Sequence, residues 1–311
     1  MNKNKKLEYK DYWFNYVINE DPNKIKSEIK EDYIISQGLK IHIDIYDDGK
    51  EYDKTIIFIH GTTVYSRFYA EFCYTLFKKG YRIIAPDLIG HGMSEGKRGH
   101  FTMKEFTQTI YDVTSYVIEK HGANVFVIGS SLGGITALYS AANDNRLKGA
   151  ICHNAAIFNE NAYKKIINIK GILNYLKGAV PFLAKILPTF RLSTLLYLDF
   201  YKLAKGEEYI KRIDLVLKDE ILALKYTLKS LRTQMREPMK RPVEKIETPV
   251  MIINGDEDVL FSVDYMKEIY QRLTCKNKNL VILENTSHLI FQENIEAALE
   301  NILPWINELN K

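Results

Sequence analysis

Five residues, Gly129-Ser130-Ser131-Leu132-Gly133, constrain this chain more than any other stretch of it. They follow the apolar run Asn124 to Ile128 and precede the helical pattern Ile135 to Ala142, so a Gly-x-Ser-x-Gly signature stands between a strand and a helix. In such a turn the backbone of the central serine is strained, and side chains two positions either side would clash, so glycine makes room at both. In isolation the pentapeptide also reads as a glycine-rich turn with a capping serine. The strand before it and the helix after it favour a turn that presents Ser131 at the edge of a sheet.

The flanking pattern alternates strands and helices. Apolar runs at Tyr33 to Ile35, Ile41 to Ile45 and Thr55 to Ile59 predict three early strands, the middle one half-exposed because Ile41, Ile43 and Ile45 alternate with polar residues. Ser66 is a candidate N-cap for a helix carrying Phe68, Phe72 and Leu76 up to Gly80, and Tyr81 to Ala85 predicts a buried strand. Phe106, Ile110, Val113 and Val117 mark one face of a helix that Gly122 would end. Strands are further expected at Gly149 to His153, Val250 to Asn254 and Asn279 to Leu283, with helices over Met266 to Leu273 and Ile295 to Ile302. This alternation predicts an α/β fold, a mainly parallel central sheet with helices on both faces. Asn154 to Thr248 breaks the rhythm: no convincing strand, and helical stripes such as Leu173, Leu176, Val180, Leu183 and Leu187 interrupted by Pro181 and Pro188. The expected organisation is an N-terminal extension (1–30), a core formed by 31–153 and 249–311, and a helical insertion (154–248) covering the end of the sheet where the site must lie.

Composition narrows the class without naming a chemistry. With 311 residues, 46% hydrophobic and 26% charged, the chain is of ordinary globular type, and its net charge of +4 gives no case for nucleic-acid binding. The basic start Met1 to Lys6 lacks an apolar core behind it, no run approaches the ~20 residues of a membrane span, and Cys73, Cys152 and Cys275 show neither zinc nor redox spacing. A cytoplasmic protein with reduced cysteines is expected. The charge is uneven: residues 160–245 hold 18 Lys and Arg against nine Asp and Glu, a net of +9 that leaves −5 for the rest.

A serine hydroxyl becomes a nucleophile only with a base to take its proton and a third group to orient that base. His288 lies in the loop after the last expected strand, and Asp258 in the loop after the preceding one, giving the order Ser, Asp, His. Of the seven histidines only His288 follows both other groups; Asp256, two residues from Asp258, is the rival acid. The oxyanion formed on attack needs backbone N–H donors, expected from Leu132, after the nucleophile, and from Thr62 in His60-Gly61-Thr62-Thr63. The glycine-rich loop Asp87 to Gly96 misses both the dinucleotide and the phosphate-loop spacings and reads as a structural turn near the pocket.

Taken together, His60-Gly61, Asp87 to Gly96, Arg98-Gly99-His100, Gly129 to Gly133, Gly255 to Asp258 and His288 resemble the α/β-hydrolase superfamily. Within it the chain is most similar to the monoacylglycerol lipase and lysophospholipase group, often placed with serine aminopeptidases, over roughly Glu31 to Ile306 outside most of the lid. The resemblance implies an α/β-hydrolase fold with a helical lid, ester hydrolysis without a cofactor or metal, and Ser131, Asp258 and His288 as the triad. One departure is Thr63, where lipases of this group often carry glycine; it bears on substrate more than on mechanism. The greasy, basic lid, with Lys177, Lys185 and Arg191 among apolar residues, reads as amphipathic helices with three alternative uses: covering an acyl pocket, resting on an anionic lipid surface, or packing on the body; medium or long acyl esters are the expected substrates. Alternatives are, on the same triad, a proline-releasing aminopeptidase using Glu207, Glu208 or Glu220 and an acyltransferase or thioesterase, and, on a hydrolase scaffold, a non-catalytic binding protein.

Overall fold

In the computed structural model, which describes residues 11–166 and 177–309, eight strands form one sheet. They are β1 (Ile29–Ser36), β2 (Leu39–Tyr46), β3 (Thr55–Ile59), β4 (Arg82–Pro86), β5 (Val125–Ser130), β6 (Gly149–His153), β9 (Val250–Gly255) and β10 (Lys278–Leu283), and their spatial order is β1-β2-β4-β3-β5-β6-β9-β10. β2 pairs antiparallel with β1 and β4; the remaining pairs are parallel. This is the α/β-hydrolase fold.

The two-residue period of the central strands sorts their side chains between two cores. Ile57, Val127, Ala150 and Ile252 face one core with α3 (Met103–His121), α4 (Leu132–Asn143) and α8 (Val263–Arg272). Their neighbours Ile56, Phe58, Phe126, Ile151 and Met251 face the other, with α2 (Ala70–Lys78) and α9 (Ile295–Glu308). Being covered on both faces, these strands are apolar throughout rather than alternating. The N-terminal segment joins the second core through Trp13 and Tyr16, and all three cysteines are buried and unpaired. Among the described residues no helix is long and apolar enough to cross a membrane.

The structure corrects four local expectations. β2 is not half-exposed, because His42 and Asp44, its polar positions, are fully buried in an ion network with Asp87, Arg67 and Glu31. Ser66 is not an N-cap; it lies inside a short 3-10 turn (Ser66–Tyr69), its N–H donating to Asp87 Oδ1 (2.8 Å) and its hydroxyl to Asp44 Oδ2 (3.0 Å). The segment between β6 and β9 contains an antiparallel ribbon of β7 (Arg191–Ser193) and β8 (Lys225–Thr227), whose three-residue strands are too short to show a period. In that segment Pro181 starts helix α5 (Val180–Ile186) rather than breaking it, as proline's fixed φ and missing N–H permit in a first turn. The expected positions Leu173 and Leu176 lie outside the described residues.

The buried network has a measurable consequence. Burial alone would push the His42 imidazole down, but hydrogen bonding to Asp87 and Glu31 and the charges of Asp87 and Asp44 lift it from 6.5 to about 10. A group bound more tightly by its proton in the folded state contributes its full stability below the unfolded pKa and loses it on titrating upward. The His42 contribution is therefore complete below about pH 6.5 and fades towards about pH 10. Thermal melts should show His42→Gln destabilised by about 3 kcal/mol at pH 6, the scale of removing one member of a buried ion pair, with a smaller further loss than wild type on going to pH 10.

Candidate active site

Ser131 is placed by backbone geometry. It sits between β5 and α4 with φ 56° and ψ −117°, a left-handed φ that L-residues rarely adopt, and its N–H donates to His153 C=O at 2.9 Å. The flanking glycines are required by contact: a Cβ on Gly129 would lie 2.0 Å from Gly133 O, and one on Gly133 2.1 Å from Ile59 O. The turn is as tight as the pentapeptide implied.

Three further loops converge on the same end of the sheet. After β9, Asp258 Oδ2 accepts from His288 Nδ1 at 2.8 Å and from Asn154 Nδ2 at 2.9 Å, while its Oδ1 accepts from the N–H groups of Leu260 (2.8 Å) and Phe261 (3.0 Å). Burial would raise this carboxyl, but the charge and hydrogen bond of His288, helped by His153 and the Leu260 N–H, hold it at about 2. Of the two candidate acids it is Asp258 that meets the imidazole. Asp256 is exposed and instead accepts from Thr286 N–H at 3.1 Å, tying down the loop that carries His288. Ser131 and His288 both line a small cavity of about 50 Å³ together with Gly61 and Thr62, although no hydrogen bond joins the serine hydroxyl to the imidazole in this structure. Catalytic contacts of this kind commonly tighten only when substrate binds.

Thr62 and Leu132 border the site from the other side. Both line a larger cavity of about 380 Å³ that also opens at Ser131, and among the described residues neither of their backbone N–H groups has a hydrogen-bond partner. The walls of this cavity are apolar, drawn from α4, from Phe158 and Phe261, and from residues of the insertion such as Leu183, Leu187 and Leu231.

With this geometry in view, comparison with known proteins decides the family. The profile of the family described as "Serine aminopeptidase, S33" matches residues 50–295. The chain belongs to that family. Among its relatives are a monoglyceride lipase homolog of monkeypox virus, 24% identical over 82% of this chain and 90% of that protein, and the human monoglyceride lipase, 23% identical over 82% and 83%. The crystal structure of Paleococcus ferrophilus monoacylglycerol lipase superposes with a TM-score of 0.72 at 23% identity, covering 87% of this chain and 99% of that one. As a member of the serine aminopeptidase S33 family and of the α/β-hydrolase superfamily, the protein is serine-hydrolase-like and related to monoacylglycerol lipases and esterases.

Two residues of this family member escaped sequence reasoning. Asn154, with φ 67°, reaches from the end of β6 to Asp258, and only the pairing of β6 with β9 makes that possible. Beside it, His153 is buried with its ring 5.2 Å from that of His288 and its Nδ1 2.9 Å from Ser130 Oγ. Burial, and then the charge of His288, hold it at about 3, so it stays neutral beside the acid–base pair. His153, Asp258 and His288 also present metal-type ligand atoms within 4.8 Å of one another, as do Glu31, His42 and Asp44 in the buried network.

Proposed function

We propose that this protein hydrolyses carboxylic esters of medium or long acyl chains, such as monoacylglycerols or lysophospholipids, through an acyl-enzyme on Ser131. His288, its Nδ1–H held by Asp258, takes the Ser131 proton through Nε2 as the oxygen attacks the carbonyl. The N–H groups of Thr62 and Leu132 receive the oxyanion; His288 then protonates the departing alcohol, and water repeats the sequence on the acyl-enzyme.

The observation that carries the substrate class is the inequality of the two cavities meeting at Ser131. The large one, about 380 Å³ and apolar, lies on the Leu132 side, and the small one, about 50 Å³, on the His288 side. A leaving group must reach the imidazole that protonates it, so the alcohol belongs in the small cavity and the acyl chain in the large one. No carboxylate lines either cavity among the described residues, which favours this reading over an aminopeptidase holding a substrate ammonium.

The mouth of the large cavity supports contact with lipid. Leu183, Leu187 and Phe190 line it and are also exposed, beside Phe182, Ile186 and the exposed cations Lys185 and Arg191. Apolar side chains ringed by positive charge suit an anionic interface. Each buried methylene is worth up to about 0.8 kcal/mol. Octanoate carries six methylenes more than acetate, and at a little over half of that value each, kcat/KM on nitrophenyl esters should rise about 100-fold, while anionic vesicles should bind the protein in preference to neutral ones. A preference for acetate, with vesicles of either kind inert, would overturn both parts of the proposal.

A further inference from the structure

Two buried side chains control the peptide planes around Thr62. His60 Nε2 accepts from Leu88 N–H at 3.0 Å, which leaves Nδ1 as the ring's donor, and Nδ1 meets Gly61 C=O at 2.9 Å. In a trans peptide the carbonyl and the following N–H point in opposite directions, so holding Gly61 C=O fixes where the Thr62 N–H points. The next peptide is held from the insertion. Thr63 N–H donates to Tyr226 Oη at 2.8 Å, and Ala223 N–H donates to Thr63 C=O at 2.8 Å.

This second clamp is needed because Thr63 has φ 68°, an outlier for a β-branched residue. Having accepted from Thr63, the Tyr226 hydroxyl has its own proton free for His91 Nε2, 2.8 Å away, and His91 Nδ1 faces Ile89 C=O at 3.2 Å. Burial keeps His91 neutral, so every donor in this relay has an acceptor. Tyr226 is itself anchored: Thr227 N–H donates to Gly99 C=O (3.1 Å), Arg98 Nη1 to Ile221 C=O (3.0 Å), and a Cβ on Gly99 would lie 2.1 Å from Lys225 O. The glycine-rich loop of residues 87–100 thus seats β8 against the body.

We propose that Tyr226 is a positioning residue for the oxyanion hole: with His60 holding the Gly61–Thr62 peptide, the Tyr226 hydroxyl, reaching from the insertion, holds the next one, Thr62–Thr63, so that the Thr62 N–H keeps facing the oxygen developing beside Ser131. The inference rests on Ser131 being the nucleophile and adds that the insertion takes part in transition-state binding as well as covering the pocket. Removing an oxyanion donor outright costs 10²–10³ in kcat, so displacing one should cost somewhat less.

The test is Tyr226→Phe, which deletes only the oxygen, assayed on a nitrophenyl octanoate with folding checked by thermal melt. The expected result is a kcat lower by about 30-fold, KM within about twofold of wild type, and a Ki for an alkyl trifluoromethyl ketone raised by the same factor that kcat/KM falls. His91→Phe, which removes the acceptor for the hydroxyl proton, should give a weaker version of the same signature. A merely structural role would lower the melting temperature or raise KM and leave the ratio of Ki to KM alone. A kcat within twofold of wild type, or a loss confined to KM, overturns the proposal. Absence of ester hydrolysis by the wild-type protein would instead count against the proposed function.

Discussion

Replacing Ser131 with alanine should lower kcat for ester hydrolysis by about 10⁶-fold, the scale seen when a serine nucleophile of this kind is deleted. Alanine removes the oxygen proposed to attack but leaves the elbow, the Asp258–His288 pair and both proposed oxyanion donors, so the folded state should survive. Labelling by a fluorophosphonate should vanish with the activity. Ser130 is the necessary control, because the pentapeptide contains two serines. Its hydroxyl meets His153 Nδ1 at 2.9 Å inside the protein, and it lines neither cavity at Ser131. Ser130→Ala should therefore keep its label and lose less than about tenfold in rate. Fluorophosphonate labelling that persists in Ser131→Ala would place the nucleophile elsewhere.

How much of this was legible in the sequence depends on the range of the interaction. The strands were readable because a strand covered on both faces is an uninterrupted apolar run, and β3 and β6 fall at the expected residues. The elbow was readable because its constraint is local: the two glycines answer to atoms a few residues away or on the adjacent strand. The order of Ser131, Asp258 and His288 was readable because each follows its own strand. His42 and Asp44 misled for the opposite reason. Their alternation with isoleucines is the pattern of a solvent-facing strand, and only Arg67, Asp87 and Glu31, from three other elements, make the same pattern a buried one. Asn154 and Tyr226 act across 104 and 163 residues of chain, on Asp258 and Thr63 respectively, and leave no periodic or spacing signal. The N-terminal segment, which had no assigned role in the sequence, proves to bridge the body and the insertion: Tyr16 and Tyr65 both donate to buried Asp219, and Tyr209 donates to Tyr16 C=O.

Asp258→Asn should lower kcat by about 10⁴-fold, and Asp256→Asn by less than about tenfold. Four donors converge on the Asp258 carboxylate: His288 Nδ1, Asn154 Nδ2 and the N–H groups of Leu260 and Phe261. An amide offers one oxygen in place of two, and its NH₂ must face a group that can accept. The imidazole can do so by moving its proton from Nδ1 to Nε2. In that tautomer Nε2 donates towards Ser131 instead of accepting its proton, and general-base catalysis stops although the geometry is intact. Asp256 differs because an asparagine oxygen still accepts the Thr286 N–H, which preserves the loop. The acid limb of stability supplies an independent check. Asp258 is held at about 2 against an ordinary 3.8, so its contribution is present above about pH 4 and is lost as pH falls towards 2. Acid unfolding of Asp258→Asn should lack that component. A crippled Asp256→Asn beside a near-normal Asp258→Asn would reverse the assignment, because the acid would then be acting from the solvent-facing side of the loop.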